Sequence, residues 1–209
     1  VRAEQGWATL WFDAGPIGPD YIPGHAHADT LNVEISVGDR PFVVDTGTST
    51  YDIGDRRAFE RGTSAHNTVV VDGLDSSEMW GAFRVGRRAK PFDVMISPRR
   101  LAAAHDGYRH IGAVHRRTID LADPGKLVLH DRIERRRAGT ATARFHLAPG
   151  LSARVDKEII ITEIASFVFT GARSVCIEPC NIAAGFNLTK PSWCVAVEFD
   201  HDLTTTISP

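Results

Sequence analysis

The sequence lacks the features that would assign it to a membrane-spanning, disulfide-rich or nucleic-acid-binding class. In 209 residues, no apolar run approaches the roughly 20 residues needed to cross a bilayer. The three cysteines are an odd number and match no common zinc spacing, although one disulfide stays possible in an oxidising compartment. The formal net charge of −2 gives no general attraction to nucleic acid or to an anionic membrane. We therefore expect a globular protein with neither kind of partner.

The sequence also lacks a signal-like apolar segment, an internal repeat and a linker rich in proline and glycine. It begins at Val1 rather than at a methionine, so we expect a fragment or a processed product. Its length fits one large domain that can bury a sizeable core. A single domain covering residues 1–209 is predicted.

Short β-strand patterns dominate what the sequence does contain. Thr30–Val37 alternates apolar and polar residues, Gly38-Asp39 is typical of a hairpin turn, and Pro41–Asp45 is the predicted returning strand. A short helical turn is predicted at Asp55–Arg61. Turn signals recur about every 8–12 residues, which favours an all-β antiparallel sandwich or barrel. Further strands are predicted at Thr68–Val71, Val94–Ser97, His115–Leu121, Leu127–Glu134, Ala141–Leu147, Glu158–Ile164, Ser166–Thr170 and Cys194–Phe199.

The run GHAHAD at residues 24–29 carries the strongest chemical signal. Two histidines one residue apart on an extended strand would point the same way. Neutral imidazoles of His27 and His66, with the Asp45 carboxylate, would give Zn²⁺ three protein ligands and leave room for a water. His25 would share the face of His27 and need not bind the metal. It could act as a general base or donate to a substrate carboxylate.

Each of these features also has an ordinary structural interpretation. A His-x-His pair on a strand is often only a polar outer face, Asp45 could begin a turn, and His66 could be a hydrogen-bonded strand start. Asp29 could orient an imidazole as a hydrogen-bond partner. The same His-x-His-x-Asp spacing occurs in cupin-like barrels, which hold an open, redox-active metal. The convergence of these residues within one stretch favours a joint site.

A second polar group and two tryptophans leave further alternatives open. The residues HDGY at 105–108, followed by His110 and His115, either place polar groups near a cleft or form a hairpin turn with solvent-facing histidines. Trp80 and Trp193 could stack on sugar rings, but we expect them to be buried in the sandwich core.

Two longer stretches resemble a known family. Residues 23–51 (PGHAHADTLNVEISVGDRPFVVDTGTSTY) and 61–73 (RGTSAHNTVVVDG) closely resemble the heparinase II/III-like polysaccharide lyases. The match continues through SEMWG at 77–81 and HDGY at 105–108, and becomes diffuse beyond about Leu147. Cupins lack the His-Asn-Thr-Val block and the downstream His-Asp-Gly-Tyr. The resemblance therefore favours the lyase family.

This resemblance implies an α/α-toroid domain followed by a C-terminal β-sandwich, with the substrate cleft between them. The chain looks like the sandwich alone, so the toroid would be missing from it. By position, His25 is similar to the family's sandwich-borne active-site histidine. His27, Asp45 and His66 are similar to its zinc ligands, and the zinc would mainly fix local structure.

The reaction that the resemblance implies is β-elimination of a uronic-acid polysaccharide. Heparan sulfate, alginate and bacterial exopolysaccharide all stay open as the acidic substrate. A tyrosine acid/base and an asparagine or histidine that binds the carboxylate would lie on the toroid, so the fragment alone is expected to be inactive. A bacterial periplasmic or secreted location is implied. The alternative is a non-catalytic, zinc-stabilised β-sandwich that binds carbohydrate or only supports structure.

Overall fold

The computed structural model describes all of residues 1–209 and consists mainly of antiparallel β-strands. One helix, α1 (Asp55–Arg61), and three 3₁₀ turns, Pro23–His25, Thr63–Ala65 and Arg109–Ile111, interrupt them. The strands are β1 (Arg2–Gln5), β2 (Ala8–Phe12), β3 (Val33–Val37), β4 (Arg40–Val43), β5 (Val69–Val71), β6 (Met79–Trp80), β7 (Arg84–Val85), β8 (Pro91–Ser97), β9 (Arg100–His105), β10 (Ala113–Asp120), β11 (Leu127–Arg135), β12 (Ala141–His146), β13 (Ala153–Asp156), β14 (Ile159–Thr162), β15 (Ser166–Gly185) and β16 (Leu188–Ser208).

These strands form two large sheets and one short ribbon. Strands β1 to β4 make a four-stranded sheet in chain order, and β6 pairs with β7. The larger sheet runs β13-β14-β15-β16-β11-β10-β9-β8, with β12 between β16 and β5. Strand β16 is shared, because Cys194–Phe199 pairs with β12 while Asp202–Ile207 pairs with β11. The predicted antiparallel sandwich is confirmed.

Aromatic side chains join the two large sheets in the core. Phe42 of β4 stacks on Phe167 of β15 with ring centroids 5.0 Å apart, and Phe145 of β12 lies 5.5 Å from Phe167. Such pairs contribute about 0.5–1.5 kcal/mol beyond the burial of their area. They belong to one cluster of 34 buried apolar residues that draws on both sheets. The two sheets thereby pack face to face around one core.

The long β15–β16 hairpin is the main departure from the predicted strands. Ser166–Thr170 and Cys194–Phe199 are only parts of strands of 20 and 21 residues. Much of the outer part of the hairpin is exposed and includes Pro179 and Pro191. Apolar alternation is therefore absent there, which hid the strands from pattern analysis.

The tip of this hairpin is hydrogen-bonded to the loop that follows β4. Ala183 N–H donates to the Thr46 carbonyl at 2.8 Å, and Asn187 N–H donates to the Ser49 carbonyl at 2.6 Å. Arg56 Nη2 donates to Asn187 Oδ1 at 2.8 Å. The loop from Asp45 to α1 is thus supported by a segment from near the end of the chain.

The helix, one strand and the cysteines can each be compared with the sequence-based expectation. Helix α1 has the predicted bounds, Asp55–Arg61. Strand β3 begins at Val33 rather than at Thr30, because Leu31 has a positive φ of 67° that a strand does not accommodate. The three cysteines are free. No helix has both the length and the apolar character that crossing a membrane requires.

Candidate functional site

The two histidines of the GHAHAD run lie in an irregular segment, so the strand predicted there is wrong. Pro23–His25 forms a 3₁₀ turn, and Ala26 N–H donates to the Pro23 carbonyl at 3.0 Å. Proline has a fixed φ and no N–H, which disfavours a strand at this point. The argument from strand alternation therefore fails. His25 is exposed, whereas His27 is half-buried.

The exposed His25 lies beside two exposed aromatic rings. Its imidazole meets Tyr51 edge-on with ring centroids 5.7 Å apart, and Tyr51 is stacked with Phe83 at 6.2 Å. Tyr51 is 40% exposed and Phe83 52%. The Arg57 guanidinium lies 5.0 Å from the Tyr51 ring centroid. An exposed apolar patch with a titratable group at its edge is typical of an interaction surface.

His66 and Asp45 form a hydrogen-bonded pair below this surface. His66 Nδ1 lies 2.7 Å from Asp45 Oδ2, and Gly47 N–H donates to Asp45 Oδ1 at 2.9 Å. Burial alone would raise the pKa of Asp45, but His66 and the Gly47 N–H outweigh it and lower the pKa to about 2. Burial would lower the pKa of His66, but the Asp45 carboxylate raises it above its ordinary value. The pair favours a charged carboxylate held by an imidazole.

His27 completes the cluster without bonding to the pair directly. Its ring centroid is 5.2 Å from that of His66. Its Nε2 lies 3.3 Å from both Thr48 Oγ1 and Arg57 Nη1. Because a guanidinium can only donate, this nitrogen accepts. Burial, followed by the nearby His66 and Arg57, lowers the pKa of His27 to about 3, so the ring is neutral at neutral pH.

The predicted zinc ligands are thus neighbours, and their residue types suit zinc. His66 Nε2 is buried and has no hydrogen-bond partner, as expected of a nitrogen that has a further ligand to bind. A metal-bound histidine usually donates its other ring N–H to a carboxylate, and His66 Nδ1 lies beside the Asp45 carboxylate in this way. In the arrangement described, Asp45 and His66 bond to each other, and no three His, Cys, Asp or Glu side chains form a group able to hold a metal ion. The residue types thus suit zinc, but the three side chains are not arranged as a metal-binding group in this structure.

Asp29 does not orient an imidazole in this structure. Its Oδ1 is buried and has no hydrogen-bond partner. Burial raises the pKa of its carboxyl group to about 6, with His66 acting in the opposite direction. Asp45, rather than Asp29, is the carboxylate that bonds to His66.

Asn67, which the sequence showed only as part of the His-Asn-Thr-Val block, is an organising residue. It is fully buried, and its Nδ2 donates to the carbonyls of Val33 and Val44, each at 2.9 Å. Its Oδ1 accepts from the backbone N–H of His146 at 2.7 Å and lies 3.1 Å from His146 Nδ1. One amide therefore joins β3, the end of β4 and β12 next to His66. Only its position beside His66 could have drawn attention to it.

His146 connects this cluster to an open cleft. Burial lowers the pKa of His146 to about 3. The cleft has a volume of about 570 Å³ and is lined by polar residues of α1, β12 and the hairpin, including Glu60 and Arg144. His25 does not line it. His25 thus lies outside this cleft, exposed on the open surface of the chain.

His105, at the end of β9, and His115, on β10, belong to a buried network at the base of the hairpin that the HDGY segment begins. His105 Nε2 lies 3.2 Å from His115 Nδ1, and His115 Nε2 lies 2.8 Å from Asp131 Oδ1. Gly107 N–H donates to His105 Nδ1 at 3.1 Å. Since the carboxylate only accepts, His115 Nε2 carries a proton and donates to it. His115 Nδ1 then accepts from His105 Nε2, and His105 Nδ1 accepts from Gly107 N–H, so each histidine is assigned as neutral with its proton on Nε2. The predicted hairpin turn is present between β9 and β10 with His110 exposed, whereas His105 and His115 are buried rather than solvent-facing.

Arg117 links this network to the candidate site. Its Nε and Nη2 donate to the two Asp131 oxygens at 2.8 and 3.0 Å. Its Nη1 donates to the carbonyls of Leu31 and Asn67 at 2.8 and 2.6 Å. The arginine therefore holds the backbone just after the GHAHAD segment, at Leu31, and just after His66, at Asn67.

The tryptophan expectation is wrong for both residues. Trp80 is 50% exposed and Trp193 is 42% exposed. Arg84 covers the Trp80 ring at 5.2 Å, a cation–π contact. Neither ring belongs to the core.

Comparison with known proteins gives one family and several similar structures. A family model described as "Heparinase II/III-like, C-terminal" matches residues 1–202. The chain is similar to a solved heparinase III, with 18% identity, a TM-score of 0.78, and coverage of 100% of this chain and 35% of that one. It is similar to the heparan sulfate lyase HepC from Pedobacter heparinus, with 17% identity, a TM-score of 0.76, and coverage of 97% and 33%.

A further similar structure is the heparinase III that is the BT4657 gene product. It shows 17% identity and a TM-score of 0.79, with coverage of 100% of this chain and 34% of that one. Among curated proteins, none matches the sequence. The chain thus spans about a third of the length of the solved structures it resembles, and at these identities the likeness establishes the fold alone.

Proposed function

We propose, because this chain belongs to the heparinase II/III-like C-terminal family, that it is the β-sandwich part of a lyase that cleaves an acidic polysaccharide by β-elimination. The observation that carries the proposal is the exposed His25, at the edge of the Tyr51–Phe83 pair and two residues before His27 of the His27–Asp45–His66 cluster.

The proposed chemistry has three requirements. The proton at C5 of the uronate is removed, the negative charge that develops on its carboxylate is stabilised, and the O4 leaving group is protonated. His25 contributes by accepting a proton or by donating a hydrogen bond to the substrate carboxylate. The exposed rings of Tyr51 and Phe83 provide an apolar surface against which the sugar lies.

The remaining groups would come from an α/α-toroid outside this chain. His25 lies on an open face, where water would weaken electrostatic stabilisation. We therefore expect the 209-residue chain alone to have no lyase turnover. The similarity also supports a bacterial periplasmic or secreted location as part of this proposal.

A zinc ion held by His27, Asp45 and His66 is also part of the proposal. The ion would cross-link the GHAHAD segment to the loops after β4 and before β5. The partnerless Nε2 of His66 supports it. Wild type is expected to contain one zinc per chain, and His27→Ala and His66→Ala each far less, by elemental analysis. Chelation is expected to lower the melting temperature of wild type only; wild-type protein without zinc, at full stability, would contradict this part.

The central experiment is His25→Ala in the full-length protein, with release of unsaturated uronate from heparan sulfate, alginate and bacterial exopolysaccharide as the readout. The lyase proposal requires product from wild type and none from the variant, with zinc content and melting temperature retained. Tyr21→Ala, which removes an 82%-exposed side chain, is a surface control. If wild type yields no unsaturated product, the alternative of a zinc-stabilised carbohydrate-binding or structural sandwich gains support. His27, Asp45 and His66 would then serve only to join the loops in which they lie.

A further inference from the structure

Helix α1 carries two buried arginines that have no carboxylate partner. Arg57 is 1% exposed and Arg61 is fully buried, and neither takes part in a salt bridge. Arg61 Nη2 has no hydrogen-bond partner at all. Burial of an unpaired charge is costly, so such residues are rare without a specific role.

Arg57 bonds to the backbone on the N-terminal side of His25. Its Nη2 donates to the Gly24 carbonyl at 3.2 Å, and its Nε donates to the Ala82 carbonyl at 3.3 Å. Its Nη1 faces His27 Nε2 at 3.3 Å. One planar guanidinium thus joins the residue before His25 to the turn that follows β6.

Arg61 repeats the same arrangement on the C-terminal side. Its Nε donates to the Ala26 carbonyl at 3.1 Å, and its Nη1 donates to the Gly81 carbonyl at 3.0 Å. Its own carbonyl accepts from Ala28 N–H at 2.8 Å. The carbonyls on both sides of His25 are therefore each tied to α1 and to the turn at residues 81–82.

We propose that Arg57 and Arg61, the arginine clamp, are positioning residues for His25, since each guanidinium joins a carbonyl next to His25 to the turn at residues 81–82. The clamp compensates for the missing strand, because residues 24–29 have no sheet neighbour to fix them. It acts through backbone atoms and leaves the imidazole free. This inference rests on the proposed catalytic role of His25.

Lysine keeps the charge at these positions but cannot replace the fork. The guanidinium donates from separate nitrogens in one plane, whereas the ammonium is a single point charge on a flexible stem. Arg61→Lys is therefore expected to free the Ala26 or the Gly81 carbonyl while leaving the sandwich intact. A small displacement of a catalytic group is enough to slow a reaction by about 100-fold.

The test uses Arg61→Lys in the full-length protein, with the polysaccharide from which wild type releases unsaturated uronate as substrate and hydrogen–deuterium exchange as a second readout. We expect kcat to fall about 10- to 100-fold with KM changed by less than about threefold. Exchange is expected to rise in peptides covering residues 24–28 and to stay unchanged in β11. Arg135→Lys is the control: Arg135 also donates to backbone carbonyls, those of Gly139 and Asp200 at 2.6 Å each, and pairs with Asp72, but it has no hydrogen bond to the GHAHAD segment. This variant is expected to keep both readouts.

The outcomes separate the clamp from the lyase activity. Unchanged kcat and unchanged exchange in Arg61→Lys would overturn the inference. Faster exchange with wild-type kcat would also overturn it, because the clamped segment would then not position a catalytic group. If wild type itself has no lyase activity, the proposed function fails, and the positioning role fails with it. Exchange would then still report whether the arginines hold the segment.

Discussion

The buried network around Asp131 offers the most direct test of the energetics that support the site. Asp131 is 1% exposed and accepts from His115 Nε2, Arg117 Nε and Arg117 Nη2 at 2.8–3.0 Å. In Asp131→Asn the shape is kept, but Arg117 loses its only counter-charge. The new NH₂ group must also face a donor, because both carboxylate oxygens accept in the native network.

The expected loss follows from this burial. Removing one partner of a buried ion pair costs about 3–5 kcal/mol, a large share of the roughly 5–15 kcal/mol by which a domain is stable. Asp93→Asn is the matched control, since Asp93 Oδ2 accepts from Arg116 Nη2 at 3.0 Å in a pair with 60% and 31% exposed side chains. An exposed pair contributes about 0–1 kcal/mol.

Urea unfolding at neutral pH, followed by tryptophan fluorescence, measures both variants. The midpoint of Asp131→Asn is expected to fall with an unchanged slope, which identifies a loss of stability rather than a change in the unfolded state. A loss of less than about 1 kcal/mol, no larger than that of the control, would refute the reasoning. The Asp131 carboxylate would then contribute little more than an exposed one.

Two further predictions concern acid stability and Asn67. Burial holds the pKa of His105 and His115 below its ordinary value and lowers that of His146 to about 3. As the pH falls, these histidines therefore take up protons in the unfolded chain at a higher pH than in the folded one. The free energy of unfolding is expected to decline as the pH falls from about 6.5 toward 3. A denaturation midpoint that stays constant over this window would contradict the prediction. Asn67→Asp is expected to cost about 2–3 kcal/mol, because a carboxylate would face the Val33 and Val44 carbonyls. The melting temperature measures this loss against Asn187→Asp, whose Oδ1 accepts from Arg56 at an exposed position, and equal values for the two variants would count against it.

Much of the fold was predictable because its inner strands have one buried and one exposed face. The alternation in Leu127–Arg135 is visible in the burial of every second residue, and the strand predicted there has nearly the observed bounds. Helix α1 was predicted with the correct bounds. The β15–β16 hairpin was not, because much of its outer part is exposed or only half-buried, so alternation carries little signal there.

The candidate site was predicted as a set of residues but not as a geometry. His27, Asp45 and His66 are neighbours, yet the strand that was to align His25 with His27 does not exist. What replaces it is a 3₁₀ turn fixed by side chains from elsewhere. Arginines that bind carbonyls leave no periodic pattern, because their partners are backbone atoms of any residue type. For the same reason, Asn67 could not be distinguished from an ordinary polar residue at a strand start.

The hydrogen bonds at the hairpin tip bear on when this site is assembled during synthesis. Arg56 and Asn187 are 131 positions apart in the chain, and the same tip holds the loop that begins at Asp45. The histidine segments leave the ribosome long before their supporting hairpin exists. Closing so long a loop carries an entropic cost that is recovered only once the hairpin is in place. A nascent chain that stops short of residue 183 therefore has every candidate site residue and lacks the contacts that order the loop after Asp45.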